Sequence, residues 1–329
     1  MATNKSNTPE LRFPEFQNDG EWEIKLIGDI ANTFSGGTPS VANKDCYGGT
    51  IPFIRSGEIA HEKTELFLTD FGLSNSSARM VNKGTILYAL YGATSGEVAV
   101  SKIGGAINQA ILAIIPKEDK YNKYYIYYFL KHQKQNILNK YLQGGQGNLS
   151  GAIINNLPII FPCNSNGEIS FNEQKEIADC LTSLDNYIDA TKRKLRQLKE
   201  HKKGLMQQLF PVKGKTLPEF RFSEFQNRDD WKKMELGSIV VVNSGKDYKH
   251  LNKGEIPVYG TGGYMLSVDD KLSDVDAVGI GRKGTIDKPQ YLKAPFWTVD
   301  TLFYLTCSNI YDIKFIYYLC QTIPWKKYG

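Results

Sequence analysis

Residues 9–30 read PELRFPEFQNDGEWEIKLIGDI, and residues 218–239 read PEFRFSEFQNRDDWKKMELGSI. The two stretches align without a gap at a constant offset of 209, with Arg12/Arg221, Phe13/Phe222, Phe16/Phe225, Trp22/Trp231 and Gly28/Gly237 among the identities. Ile126-Tyr127-Tyr128 is echoed by Ile316-Tyr317-Tyr318, and Ile51-Pro52-Phe53-Ile54 by Ile256-Pro257-Val258-Tyr259. One domain is therefore written twice. Two copies in one chain point to a partner that itself comes in two copies or two halves.

Between the copies the text changes register. From Asn172 to Leu209 there is no Pro, and the only Gly is Gly204. Ile177, Leu181, Leu184, Ile188, Leu195, Leu198, Lys202, Leu205 and Leu209 occupy the a and d positions of successive heptads. With Thr191 they make ten seam sites, of which eight are apolar, the pattern of a coiled-coil helix. At 1.5 Å per residue the helix spans roughly 57 Å, and Pro211 and Gly214 end it. A two-residue seam cannot bury itself, so a partner helix is expected; after Phe210 the text returns to the domain pattern instead. Lys202, at an a position, would cost stability if buried but could fix register.

The divisions expected are a flexible N-terminus (1–10), a first domain (11–168), a spacer helix (169–211) and an incomplete second domain (212–329). Counterparts of residues 142–209 do not follow the second copy, which reads as a truncated form or a fragment. Short apolar runs such as Ile51–Ile54, Thr85–Leu90 and Ala110–Ile115, set between Gly-rich turns, predict strands, and a helix is expected over about 122–141. The fold class is α+β: two similar mixed domains separated by a long coiled-coil-forming helix. The aromatic run Tyr124–Phe129 places several rings on one helical face and reads as core packing.

The bulk numbers are ordinary for a globular chain: 41% hydrophobic, 23% charged, net charge +5. No apolar leader or membrane-length stretch is seen, which assigns the protein to the cytoplasm with no membrane partner. The five cysteines are scattered without metal-ligand or disulfide spacing. His61, His132, His201 and His250 lie in no triad or metal pattern, and no Walker loop, GxGxxG after a strand or adenine-methylase motif occurs. No cofactor, no metal and no catalysis by the chain itself are expected.

Taken together, these features resemble the specificity subunit of a type I restriction–modification system. The doubled LRFPEF…W…LGDI opening carries the resemblance, with SGGTPS, IPFIRSGEI, NLSGAIINNLPIIFP, NEQKEIADCL, GRKGTI and FWTVDTLFYL. It implies that each repeat is a target recognition domain for half of a split double-stranded DNA sequence. It also implies that the helix is a spacer on which methyltransferase subunits dock, bringing restriction subunits indirectly. Methylation and cleavage would then belong to those partners.

Candidate DNA contacts follow from residue chemistry: Lys, Arg and loop N–H groups hold phosphates, while Arg, Asn and Gln read base edges. In the second domain they are Arg282, Lys283 and Thr285, with Thr261 in the glycine loop Tyr259–Tyr264. In the first they are Ser35 and Thr38 around Gly36-Gly37, Arg55 and Ser56 after a strand, and Gln146 and Asn148 in an amide-rich loop. Each has a plainer reading as a tight turn or a basic hairpin tip touching only water. Tyr91–Gly96 aligns approximately with the GRKGTI loop but carries no cation, so the domains would read different half-sites. Two alternatives stand beside this reading. One is a truncated subunit that homodimerises through residues 172–209 on a palindromic site, and the other is a partner-binding module that does not read DNA.

Overall fold

The computed structural model describes residues 7–142, 148–282 and 285–327. It divides into two compact units, residues 1–190 and 191–329, with the boundary inside the long helix.

In the first unit the chain runs β1 (Glu23–Leu26), α1 (Ile27–Ile30), β2 (Ala31–Ser35), β3 (Tyr47–Ile54), β4 (Leu66–Leu68), α2 (Asp70–Ser74) and β5 (Arg79–Val81). It continues through β6 (Ile86–Ala89), β7 (Val98–Val100), β8 (Gly105–Ile107), β9 (Ile111–Pro116), α3 (Lys123–Leu142), α4 (Gly151–Asn155) and β10 (Pro158–Phe161) into α5 (Phe171–Leu209). The second unit contains α6 (Leu236–Ile239), β11 (Val240–Ser244), β12 (Lys253–Gly260), β13 (Gly263–Val268), β14 (Ala277–Gly281), β15 (Gln290–Leu292), β16 (Trp297–Thr298), β17 (Leu302–Cys307) and α7 (Ile313–Thr322). The mixture of helix and sheet is the one expected, and α5 lies inside the expected span of 169–211, two residues shorter at each end.

The duplication extends to strand pairing. The sheet β2-β9-β6-β7 of the first unit has the order of β11-β17-β14-β15 in the second, and β4-β3-β8 that of β13-β12-β16. Register agrees residue by residue. Phe53 and Ile54 face Ala106 and Ile107 in a parallel pair, and Val258 and Tyr259 face Trp297 and Thr298 in the same way. Each β3-like strand also carries a bulge before this pair, where Leu68 or Val268 faces two residues. Gly49 and Gly254 sit at the bulges because a Cβ there would lie 2.4 and 2.3 Å from the carbonyl oxygens of Leu68 and Val268.

The helices repeat as well. Asn122 caps α3 by accepting from the N–H groups of Tyr124 and Tyr125, and Asp312 caps α7 by accepting from Phe315. One turn on, Ile126 and Leu130 are buried in the first core, and Ile316 and Cys320 in the second. The rings of Trp22 and Tyr125 meet edge-on at 65°, as do Trp231 and Phe315. In the run Tyr124–Phe129, Tyr125 and Ile126 are buried while Tyr124 is exposed, so core packing holds for one face of the helix.

Ser170 starts α5, accepting the N–H of Glu173. The buried Glu173 carboxylate then receives two 2.7 Å bonds from the guanidinium of Arg12, with side-chain exposures of 1% and 6%. Arg12 also donates to the carbonyls of Asp19, Gly20 and Cys163, which fastens the repeated box to the helix start. Hydrogen bonding to Glu173 raises the Arg12 pKa further. Ile177 packs against the first core, so that seam residue is spent inside the unit. From Leu181 onward, Leu184, Ile188, Leu195, Leu198 and Leu205 remain exposed. Lys202 is exposed too, and its ammonium lies 5.1 Å from the centre of the Tyr318 ring, so this a-position lysine is not buried in a helix pair.

Candidate nucleic-acid interface

The second unit brings two sequence candidates together. Strand β14 ends at Gly281, and Arg282 follows with its N–H donating to the Thr301 carbonyl. The exposed guanidinium of Arg282 lies 5.8 Å from the centre of the Phe303 ring. Thr285 donates its hydroxyl to the Thr261 carbonyl at 2.8 Å, and Gln290 donates its amide to the carbonyls of Gly260 and Thr261. Thr285 thus ties the hairpin turn between β12 and β13 to the loop after β14, and Thr261 offers its backbone to that tie. Lys283 lies outside the described residues.

Beside this turn is a groove of about 790 Å³ whose lining includes Lys249, Thr261, Tyr264, Asp247 and Asp300. On the other side of Tyr264 a second depression of about 770 Å³ is lined by Lys249, Asn252 and Lys253. Tyr264 is 63% exposed, with its hydroxyl 3.2 Å from that of Ser267. Lys246, Lys249 and Lys253 are all exposed; the first two lie in the segment joining β11 to β12, and Lys253 opens β12. In the sequence the one signal of this cluster is the spacing of three and four residues between the lysines, which lie outside the candidate contacts.

At the matching corner of the first unit the chemistry differs. Pairing of Ala89 with Ile111 and of Gly281 with Leu302 makes Leu90 the counterpart of Arg282. Leu90 is buried, and its N–H donates to the Ala110 carbonyl just as that of Arg282 does to Thr301. Gly37 and Lys246 are likewise counterparts, with N–H groups donating to Ile107 and Thr298. A Cβ on Gly37 would fall 1.9 Å from the Ser77 hydroxyl, so this position of the first unit excludes a lysine. Gly36 and Gly245 are alike in both units: a Cβ would fall 1.8 Å from the Ile107 carbonyl oxygen and 2.0 Å from that of Val299. The SGGT glycines therefore serve close backbone packing. Ser35 closes β2 opposite Leu112, and the exposed Thr38 donates to Gln109 at 2.6 Å.

Arg55 sits at the mouth of β3, but its donors are engaged: it bonds both carboxylate oxygens of Glu58 at 3.1 Å and Glu65 at 2.6 Å. Burial opposes the charge on Glu58, yet bonds from Arg55, the N–H of Glu65 and the Thr64 hydroxyl outweigh it and hold its pKa at about 2. Ser56 begins the short turn between these partners. Asn148 is exposed, and Gln146 lies outside the described residues. Arg79 was not singled out from sequence. It stacks its guanidinium 3.9 Å from the centre of the Phe34 ring and is exposed on the edge strand β5.

Among the described residues no cluster of three His, Cys, Asp or Glu could hold a metal, and no helix is long and apolar enough to cross a membrane.

Known proteins share this arrangement. The MjaIX specificity subunit of Methanocaldococcus jannaschii is 29% identical over 243 residues, covering 69% of this chain and 53% of that protein. The HindI specificity subunit of Haemophilus influenzae is 29% identical over 179 residues, covering 51% and 37%. The chain spans about half the length of the M. jannaschii relatives it matches. The crystal structure of a type I restriction–modification S subunit from M. genitalium superposes with a TM-score of 0.70 at 20% identity, covering 95% of this chain and 79% of that one, which shows a shared fold. The family model described as the type I restriction modification DNA specificity domain matches residues 19–200 and again 228–327. Its two starts are separated by the 209-residue period of the internal repeat, and the chain belongs to the type I restriction–modification specificity subunit family.

Proposed function

We propose that the chain is a non-catalytic, DNA-reading specificity subunit. Each unit presents the loop after β6 or β14, and the segment between β2 and β3 or between β11 and β12, to one half of a bipartite duplex target. The observation that carries this reading is a scaffold repeated in register with unlike chemistry at one corner: Leu90 against Arg282, and Gly37 against Lys246. A fixed scaffold with variable loops suits two readers that see different sequences. Arg282 is suited to a guanine edge, Lys246, Lys249 and Lys253 to phosphates, and Tyr264 to sugar or base contact. In the first unit Ser35, Thr38, Ser56 and Asn148 remain the polar candidates. Arg55 is assigned to bracing its loop, because two carboxylates already balance its charge. Methyltransferase subunits would dock on α5 and bring restriction subunits with them. The chemistry would be theirs.

The test is selection of a target from random duplexes by the chain with its methyltransferase partner, followed by Arg282→Ala. The expected loss is about 1–3 kcal/mol at one half-site, with relaxed specificity there. An equal loss for every sequence would make Arg282 a phosphate contact, and no loss would remove it from the interface.

The exposed seam of α5 favours a second reading, a homodimer on a palindromic site. Sedimentation of the chain with and without the methyltransferase separates the two.

A further inference from the structure

Leu90 stands in the first unit where Arg282 stands in the second, but the first unit carries an arginine on another strand. Arg79 opens β5, at the edge of the sheet β4-β3-β8-β5, and is exposed. Its guanidinium lies 3.9 Å from the centre of the half-buried Phe34 ring. Among the described residues each unit has one guanidinium over an aromatic ring, Arg79 over Phe34 and Arg282 over Phe303. A ring covers a face of the guanidinium and leaves the N–H donors free at its edges. Among the described residues no carboxylate or carbonyl engages those donors at Arg79.

Strand register puts Arg79 beside the segment joining β2 to β3. Arg79 faces Ile107 across β5 and β8, and the Ile107 carbonyl accepts the N–H of Gly37. Phe34 lies on β2 three residues before Gly37, and exposed Gln109, two residues past Ile107, accepts the Thr38 hydroxyl at 2.6 Å. The same register finds the counterpart of Arg79. Val81 faces Gly105 in the first unit as Ser273 faces Phe296 in the second, which sets Lys271 against Arg79. Lys271 has no such shelf, because Asn243 pairs with Tyr304 where Phe34 pairs with Ala113, and its amide is spent on the sheet. Its ammonium lies 2.6 Å from Asp274, in a run Asp269–Asp274 that holds three aspartates. The matching run Ser77–Asn82 has no acid. One register position therefore carries a cation in both units, but only in the first is it planar, ring-backed and clear of carboxylates.

We propose that Arg79 is the specificity-determining arginine of the first unit, donating from its Phe34 shelf to the N7 and O6 acceptors of a guanine in the major groove. The inference rests on the DNA-reading function proposed above and names a base of one half-site. A phosphate accepts a cation in many orientations, whereas a base edge with two acceptors needs a fork held in one plane. The Phe34 ring supplies that plane, and holding it in advance reduces the rotamer freedom lost on binding. Each unit then reads with one ring-backed arginine, delivered by β5 in the first and by the end of β14 in the second. Moving the arginine between strands of one scaffold gives unlike half-sites without changing the fold.

The test is selection from randomised duplexes by the full chain with its methyltransferase partner, for the parent and for Arg79→Met, Phe34→Leu and Lys271→Met. Arg79 is exposed on an edge strand, so its loss leaves the fold intact. Arg79→Met should lower the preference for guanine about 10- to 100-fold at one position of one block. That block should not be the one relaxed by Arg282→Ala. Phe34→Leu keeps the charge and removes the shelf, and should lower the same preference about two- to fivefold. Lys271→Met should change no base preference. A selected target whose guanine preference survives Arg79→Met overturns the inference alone. A uniform loss for every sequence, with the salt slope reduced by about 1, overturns it in favour of a phosphate contact. Equal relaxation by Lys271→Met overturns it in favour of the strand position rather than the ring. Failure of the parent to select any duplex overturns the DNA-reading function and the inference together.

Discussion

Replacing Arg12 by Met should cost far more than the same change at Arg221, although the two occupy one position of the repeat. Arg12 makes five hydrogen bonds, two of them to a carboxylate whose side chain is 1% exposed. Removing it strands Glu173 as a buried, uncompensated charge, a loss of about 3–5 kcal/mol. Arg221 makes two bonds to turn carbonyls and carries an Nε that is already unsatisfied. Its removal should cost only about 1 kcal/mol. The difference, about 3 kcal/mol, corresponds to a factor of roughly 100 in a local opening equilibrium. Combining Arg12→Met with Glu173→Met should recover a large part of the loss, since two apolar side chains replace a desolvated ion pair.

The assay is native-state hydrogen exchange, which reads each unit separately and needs no two-state assumption for the whole chain. Peptides covering β1, β10 and the first turns of α5 report on Arg12, and those covering residues 220–235 report on Arg221. Near-equal costs for the two substitutions would refute the reasoning. So would a double variant as unstable as the sum of its singles.

Acidification should loosen the Arg55–Glu65 loop. The Glu58 pKa is held at about 2, below its usual value of 4.5, so its stabilisation is complete above about pH 4.5 and is lost as pH falls towards 2. The amount at stake is about 2 kcal/mol, discounted for the partial exposure of Arg55, and exchange in residues 55–65 between pH 5 and 2 should show it. Gly36→Ala and Gly245→Ala should each destabilise their own unit by about 1–3 kcal/mol through the clash with a facing carbonyl, as read by local unfolding. Leu184→Gln with Leu195→Gln should leave both units within about 0.5 kcal/mol of the parent, because both side chains are exposed. The same pair should abolish helix-mediated partner binding in a pull-down with the methyltransferase.

The elements most legible in the sequence were those with a strong period. The heptad seam from Ile177 to Leu209 made α5 legible, and the expected span of 169–211 exceeds the helix by two residues at each end. The Ile-Pro-Phe-Ile match placed β3 and β12 in equivalent parallel pairs, and the approximate match of Tyr91–Gly96 with the GRKGTI segment located one corner in both units. Long-range polar pairing was not legible. Arg12 and Glu173 stand 161 residues apart, and nothing local tells the buried arginine of the first box from its half-satisfied repeat. Arg55 looked free because its acceptors, Glu58 and Glu65, read as ordinary surface acids. The glycines of Ser35–Thr38 looked available to a ligand, because the atoms that make them necessary belong to distant residues, Ile107 at Gly36 and Ser77 at Gly37.

The seam of α5 also sets a limit on how it can be used. Lys202 rests over Tyr318, which leaves Leu181 to Leu198, broken only by Thr191, as the longest mainly apolar stretch of the seam, its Leu and Ile exposures being 36–54%. Its five Leu and Ile side chains are about half buried already. Completing their burial would add about 1 kcal/mol each on this helix, and as much again on an identical partner, roughly 10 kcal/mol in all. Association in trans costs about 4–15 kcal/mol, so two free copies paired through the seam alone would sit near balance. A helix held close by other contacts, as on a methyltransferase, avoids most of that cost. The chain alone should therefore sediment as a monomer at micromolar concentration and acquire a seam partner only within a larger assembly. A tight dimer of the isolated chain would show instead that contacts outside α5 contribute, and would favour the palindromic reading.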